Sequence, residues 1–159
     1  MIILLDIDGV MVTTPSWKPT EDMPDGFPNF KFNAIISLNL ILEETNAKIV
    51  LTTTHKGRFN QRKWKEIFLS RKIRLKSIDK IQEPEYYNAS GSDRLSEIME
   101  WVRTNNTDKY VIIDDDKRLN GLPKNIKKHL VLIDPLIGLT QDDAEKAISI
   151  LVGRQWGEE

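Results

Sequence analysis

The sequence contains no cysteine and only two histidines, His55 and His129. Without cysteine the chain forms no disulfide, binds no zinc through thiolates and uses no thiol as a nucleophile. Two histidines are too few for a histidine-based metal cluster. A chain without cysteine fits a reducing cytosol.

Long apolar runs and an excess of positive charge are also missing. The apolar start of the chain is interrupted by Asp6 and Asp8, and no later run approaches the ~18 apolar residues of a membrane helix. We therefore expect no signal peptide, no membrane partner and a cytoplasmic location. The formal net charge is −1, so any nucleic-acid partner must be bound by a local group of residues.

The remaining composition is that of a folded globular protein. Of the 159 residues, 40% are hydrophobic and 30% are charged. This length supports one substantial core but leaves little room for two ordinary domains. We predict a single domain over residues 1–159.

Short apolar runs alternate with amphipathic patterns along the chain. Strands are predicted at Ile2–Leu5, Lys48–Leu51, 110–113 and 129–133, with 74–78 as a candidate fifth. Helices are predicted at 33–44, Gln61–Ser70, 93–103 and 140–151. The alternation favours a Rossmann-like, doubly wound α/β fold, with a mostly parallel sheet and helices on both faces. Ligands of such sheets bind at the carboxyl ends of the strands.

Residues 11–31 follow neither pattern. They carry Pro15, Pro19, Pro24 and Pro28, together with Trp17, Phe27 and Phe30. We interpret this segment as a proline-rich flap loop near a site rather than as a linker. Its aromatic side chains are more typical of core packing than of stacking on bases.

The strongest chemical signal is the run Leu4-Leu5-Asp6-Ile7-Asp8-Gly9-Val10. Two carboxylates spaced by two residues lie on the same side of a strand end. They can hold Mg²⁺ while one attacks phosphorus and the other moves a proton. Gly9 allows the chain to turn sharply after them.

This run resembles the first motif of the haloacid dehalogenase-like (HAD) superfamily, an apolar strand followed by Asp-x-Asp-Gly. The run from Ile49 to Lys56 resembles the family's second motif, and Val111-Ile-Ile-Asp-Asp-Asp resembles its fourth. The stretch 134–140 before the last helix resembles a small branch of the family that lacks a cap domain and is predicted to act in RNA repair. The resemblance implies the same doubly wound fold, without a large cap domain.

The resemblance also implies site residues. Asp6 is the expected nucleophile, and Asp8 is the expected acid and base. Thr53 is the first choice for the hydroxyl that binds phosphate. Thr52 and Thr54 are further candidates, because three consecutive threonines allow the register of the motif to slip by one residue. Asp114 is expected to bind Mg²⁺ together with Asp6 and the backbone carbonyl of Asp8. Asp115 is a second candidate ligand and Asp116 a weaker one.

The family's third motif is a basic residue, and several positions qualify. Arg94 is the first choice because it begins the helix that leads into the strand at 110–113. Lys80 and Lys56 are alternatives, and Lys56 is also a candidate for binding substrate. A basic run begins at the second motif and consists of Lys56, Arg58, Arg62, Lys63, Lys65, Arg71, Lys72, Arg74 and Lys76. It is either a solvated surface or a guide for a polyanion.

The predicted function is that of a Mg²⁺-dependent phosphatase that forms an aspartyl-phosphate. Its phosphorylated substrate is expected to be a nucleotide or a nucleic-acid end, because the site lacks a cap and the basic run begins beside it. Two alternatives stay open at this point. One is a general small-molecule phosphomonoesterase, and the other is a non-catalytic phosphate-binding module, against which the presence of both Asp6 and Asp8 argues.

Overall fold

A computed structural model of the protein describes residues 1–13, 21–82 and 93–154. The strands in these residues are β1 (Ile2–Leu5), β2 (Lys48–Leu51), β3 (Ile78–Lys80), β4 (Tyr110–Asp114) and β5 (Leu130–Leu132). The α-helices are α1 (Phe32–Thr45), α2 (Gln61–Ser70), α3 (Arg94–Asn105), α4 (Lys124–Lys127) and α5 (Gln141–Val152). Two 3-10 helices lie at Thr54–Arg58 and Lys117–Gly121. The strands form one sheet in the order β3-β2-β1-β4-β5, and every neighbouring pair is parallel.

Helices cover both faces of this sheet. On one face, Ile3 and Leu5 of β1 share a core with residues of α1, α2 and α5. On the other face, Leu4 packs in a second core with residues of α3 and α4. Because side chains alternate along a strand, a nearly continuous apolar strand supplies both cores. The doubly wound α/β fold is confirmed, and the described residues contain no large cap domain.

The order of the strands reverses beside β1. The chain builds β1, β2 and β3 outward in one direction and then crosses to β4, on the other side of β1. Leu5 of β1 is in register with both Leu51 of β2 and Ile113 of β4, so three strand ends meet at one edge of the sheet. Such a reversal leaves a crevice at the carboxyl ends of the strands, where ligands of open α/β sheets bind.

The candidate strand at 74–78 lies mostly outside the sheet, because β3 begins only at Ile78. The side chain of Asn39 in α1 explains the difference. Its amide donates to the carbonyl of Lys72 and accepts from the backbone N–H of Arg74. Since these backbone groups are bonded to a helix, they are not available for a strand ladder.

The described part of the proline-rich segment is held against the core. Phe27 and Phe30 are buried, and the buried guanidinium of Arg71 donates to Asp25 and to the carbonyls of Phe27 and Pro28. The expectation of core packing for these two aromatics is confirmed. Residues 14–20, including Trp17, lie outside the described residues, so the flap function stays a prediction.

In the described ranges, no helix is long and apolar enough to cross a bilayer. The single domain over residues 1–159 stays a prediction.

Candidate active site

Asp6 and Asp114 lie side by side at the carboxyl edge of the sheet. Asp6 directly follows β1, and its backbone N–H donates to the carbonyl of Ile113 in β4. Asp114 is the last residue of β4. Both carboxylates are buried, with exposed fractions of 3% for Asp6 and 0% for Asp114. The ends of two central strands therefore bring two acids, separated by more than one hundred residues in sequence, into contact range.

A third carboxylate, that of Asp115, completes this acidic group. One ligand oxygen from each of Asp6, Asp114 and Asp115 lies within 4.8 Å of the others. Burial, followed by the charge of Asp114, raises the pKa of Asp6 to about 9. Burial also raises the pKa of Asp114. Gathering three buried or half-buried acids is costly without a cation, and hard oxygen ligands are what Mg²⁺ requires.

Arg94 supplies a positive charge to this group. It is the first residue of α3, and the preceding Asp93 caps that helix by accepting from the backbone N–H of Ser96. Its Nη1 lies 2.6 Å from Oδ2 of Asp114 and 3.4 Å from Oδ2 of Asp6. Burial alone would lower the pKa of Arg94, but the charges of Asp6 and Asp114 outweigh it and raise the pKa. Arg94 therefore stays protonated between the two acids.

The other basic candidates for this position are bonded elsewhere. The Nζ atom of Lys80 donates to the carbonyl of Phe59. The Nζ atom of Lys56 lies 3.3 Å from Oε2 of Glu97, one turn after Arg94 in α3. The geometry favours Arg94 over Lys80 and Lys56 as the basic residue beside the acids.

A tight turn follows β1, and the side chain of Asp8 lies outside the acidic group. The carbonyl of Ile7 accepts from the backbone N–H groups of Val10, Met11 and Val12. The Asp8 side chain is 60% exposed, and its Oδ2 lies 2.7 Å from Nε2 of His55. Asp6 and Asp8 thus occupy different surroundings, one buried among carboxylates and one half in solvent.

Gly9 in this turn allows Asp115 to approach. Its φ of 77° lies in the left-handed region, and a Cβ atom there would overlap Oδ2 of Asp115. The sequence indicated Gly9 for the turn alone. Its role in leaving room for Asp115 depends on where β4 ends, so no pattern in the sequence around Gly9 predicts that role.

The three threonines after β2 have different surroundings. Thr52 follows Leu51, donates its backbone N–H to the carbonyl of Leu5, and buries a hydroxyl that has no hydrogen-bond partner among the described residues. The hydroxyl of Thr53 accepts from the backbone N–H of His55 and caps the first 3-10 helix. Thr54 is exposed at the start of that helix. The register places Thr52, rather than Thr53, beside Asp6.

Asp116, the weakest of the predicted metal ligands, is used in local structure. Its carboxylate caps the second 3-10 helix and accepts from the guanidinium of Arg118, which lowers the pKa of Asp116. Its backbone N–H donates to Oδ1 of Asp114. Asp116 therefore orients Asp114 rather than joining the acidic group.

A sequence model of the HAD domain in Swiss Army Knife RNA repair proteins matches residues 2–144. The chain belongs to this HAD family. No curated protein matches it. The resemblance stated from the sequence motifs is confirmed, and membership indicates a hydrolase of the phosphatase type. HAD domains typically use Mg²⁺, and the acidic group of Asp6, Asp114 and Asp115 is present in this one.

His55 is the residue of this HAD domain that the sequence motifs did not place. It is one of two histidines and lies within the run that resembles the second motif, yet its contact with Asp8 spans 47 positions of the sequence. Only the pairing of β1 with β2 brings the two together, because Leu5 and Leu51 are in register. Its position four residues after the end of the predicted strand Lys48–Leu51 was the one available signal.

A groove of about 900 Å³ lies elsewhere on the HAD domain, between β3 and the second half of α3. Its walls include Ile78, Lys80 and Trp101, and apart from Lys80 they contain none of the residues considered above for the site. The acidic group therefore stands at the edge of the sheet, outside this groove.

Proposed function

We propose that this HAD domain is a Mg²⁺-dependent phosphohydrolase that works through an aspartyl-phosphate on Asp6. The observation that carries the proposal is the group of Asp6, Asp114 and Asp115, with Arg94 in contact with the first two. Asp6 is a buried carboxylate at a strand end. It is suited to attack a phosphoryl group, because Arg94 and a metal ion held by Asp114 and Asp115 would offset the negative charge there.

The reaction has two steps. In the first, a carboxylate oxygen of Asp6 attacks phosphorus, the bond to the leaving oxygen breaks, and protonated Asp8 gives its proton to that oxygen. In the second, ionised Asp8 takes a proton from water, and the water oxygen attacks phosphorus. This step releases phosphate and regenerates Asp6. The separate surroundings of Asp6 and Asp8 support this division of roles.

The donor set of Asp6, Asp114 and Asp115 suits Mg²⁺, and the backbone carbonyl of Asp8 would be a further ligand. The bound ion would neutralise charge on the phosphoryl oxygens. The guanidinium of Arg94 would neutralise part of the same negative charge on the phosphoryl oxygens. If Arg94 only neutralised the acids, its substitution would lower the free energy of unfolding and leave the affinity for phosphate unchanged.

We assign the phosphate-binding hydroxyl to Thr52 instead of Thr53. The Thr52 hydroxyl is buried without a partner among the described residues, whereas the Thr53 hydroxyl already caps a helix. A buried polar group without a partner is unfavourable unless a ligand satisfies it. Thr54 and Lys56 are placed further out, and their contact with substrate stays a prediction.

For the substrate, we propose a nucleotide or a phosphate at the end of a nucleic acid. Three observations support this choice. The matching family occurs in RNA repair proteins, and the described residues include no large cap over the site. Part of the basic run is also exposed, including Arg58, Arg62 and Lys65. Arg71 and Arg74 contribute less, because they are paired with Asp25 and Glu43.

The direct test is phosphate release from nucleotides, end-phosphorylated oligonucleotides and sugar phosphates, with and without Mg²⁺. We expect turnover that needs Mg²⁺ and is lost in Asp6→Asn, a variant that keeps the shape of the side chain. Acid-quenched mass spectrometry should find the phospho-adduct on Asp6. An adduct elsewhere contradicts the mechanism, and phosphate binding without turnover favours a binding module.

A further inference from the structure

The contact between His55 and Asp8 is specific in its geometry. Nε2 of His55 lies 2.7 Å from Oδ2 of Asp8, a short distance for a nitrogen-to-oxygen hydrogen bond. An ionised carboxylate only accepts, so His55 is the donor when Asp8 is ionised. The bond uses Oδ2 and leaves the second oxygen, Oδ1, available for proton transfer.

The His55 side chain is held from two directions. Its backbone N–H donates to the hydroxyl of Thr53, which fixes the start of the 3-10 helix. Its ring packs edge-on against Phe27, with ring centroids 5.6 Å apart. Phe27 is itself 1% exposed, and its carbonyl accepts from the buried guanidinium of Arg71. His55 therefore stands on a rigid part of the core.

Asp8 is less constrained by its own surroundings. Its side chain is 60% exposed, and it lies in the turn that follows β1. A short, exposed carboxylate samples several rotamers, and displacement of a reacting group by about 1 Å can cost roughly 100-fold in rate. His55, which is held against the core, can therefore orient the exposed carboxylate of Asp8.

We propose that His55 is a positioning residue, which holds Oδ2 of Asp8 so that Oδ1 points at the leaving oxygen of the substrate. This inference rests on the proposed function, because it assumes that Asp8 transfers the proton. In this role His55 acts through Asp8 and does not itself bind the phosphoryl group. Its effect belongs to the step in which the leaving oxygen takes up a proton.

Three substitutions separate hydrogen bonding from packing. His55→Gln keeps an N–H donor at similar reach but loses the ring. His55→Phe keeps the ring contact with Phe27 but has no donor. His55→Ala loses both. Thermal unfolding of each variant, together with Mg²⁺ titration, reports whether the fold and the acidic group are intact.

The decisive measurement is kcat/KM on two esters whose leaving groups differ in basicity. An alkyl monophosphate needs a proton on its leaving oxygen, whereas 4-nitrophenyl phosphate needs it far less. For His55→Phe and His55→Ala we expect kcat/KM on the alkyl ester to fall by about 10- to 100-fold, with a several-fold smaller loss on the aryl ester. His55→Gln should recover most of the alkyl activity.

Equal losses on both esters in His55→Phe, or no loss on either, would overturn the inference. So would a Gln variant no better than the Phe variant. The failure of the proposed function looks different, because the wild-type chain would then hydrolyse no nucleotide, oligonucleotide or small phosphate ester, or would keep its activity in Asp6→Asn. That result would remove both the function and the inference that rests on it.

Discussion

At the scale of single residues, the threonines that follow β2 combine similar chemistry with different contacts. Thr52 has a buried hydroxyl without a partner in the described part of the chain, and Thr53 has one that caps a 3-10 helix. Substitution by valine removes each hydroxyl while keeping the branched shape. The two variants should therefore differ in stability, and the loss of phosphate affinity is expected for Thr52→Val.

For Thr53→Val we expect a loss of about 1 kcal/mol in the free energy of unfolding, since an N-cap is removed. For Thr52→Val we expect stability to be unchanged or higher, because a buried unsatisfied hydroxyl disappears. Its kcat/KM and its affinity for inorganic phosphate should nevertheless fall. Urea unfolding and steady-state kinetics on both variants check this. A Thr52→Val enzyme with full activity would return the role to Thr53.

Gly9 offers a second test at this scale, with Gly26 as its control. Both have positive φ values, 77° and 85°, but a Cβ atom at Gly26 meets nothing within 4 Å, whereas one at Gly9 overlaps Asp115. Each alanine substitution should cost about 1–2 kcal/mol from backbone strain. Only Gly9→Ala should also weaken Mg²⁺ binding, measured by calorimetry. Equal Mg²⁺ affinity in both variants would show that Asp115 is not a ligand.

At the scale of elements, Arg71 fastens the segment 25–28 to helix α2. Its side chain is fully buried and donates to Asp25 and to the carbonyls of Phe27, Pro28 and Ile67. Arg71→Lys keeps the charge but loses the planar fork that reaches these acceptors. We expect the free energy of unfolding to fall by about 3 kcal/mol. Arg74→Lys is the matched control, since its pair with Glu43 is exposed, and it should change stability little.

The ion pair between Arg71 and Asp25 predicts a pH dependence of stability. The hydrogen bond from Arg71 lowers the pKa of Asp25 in the folded state. As the pH falls, the unfolded chain takes up this proton first, so the stabilisation is complete above about pH 4–5 and is lost as the pH falls through the folded pKa. The difference in unfolding free energy between wild type and Asp25→Asn should shrink over that range. A difference that stays constant with pH would contradict the ion pair.

The elements also mark where sequence reasoning succeeds. Helix α2 occupies the predicted range Gln61–Ser70, because its apolar residues recur with helical spacing and Asn60 caps it. The prediction of a strand at 74–78 was wrong for most of that range. Burial alternates along the segment as it does in a strand, with Ile73, Leu75 and Ser77 partly or fully buried. Contacts from Asn39, distant in sequence, decide the backbone there. Periodicity records which side chains are buried but not where backbone groups find partners.

At the scale of the whole molecule, motif spacing was sufficient to place the acids but not their neighbours. Asp6 and Asp114 could be paired from sequence, since parallel strands end at one edge of a sheet. The approach of Asp115 to Gly9 and of His55 to Asp8 depends on the register of β1 with β4 and β2. Register across a crossover is a tertiary property, and one residue of slip separates Thr52 from Thr53.

The whole-molecule charge bears on the substrate. A net charge of −1 provides no general attraction for a polyanion, so nucleic acid must be bound by a local surface such as that of Arg58, Arg62 and Lys65. If an end-phosphorylated oligonucleotide binds there, log(kcat/KM) should fall steeply with log[salt], by about 0.7 for each phosphate neutralised on a single strand. Activity on 4-nitrophenyl phosphate should change far less.

Replacing Arg62 and Lys65 with serine should reduce the salt slope by about 1–2 and leave activity on the small ester unaffected. Equal slopes for the two substrates would favour a general small-molecule phosphomonoesterase, because the protein would then recognise the phosphoryl group and not the chain attached to it.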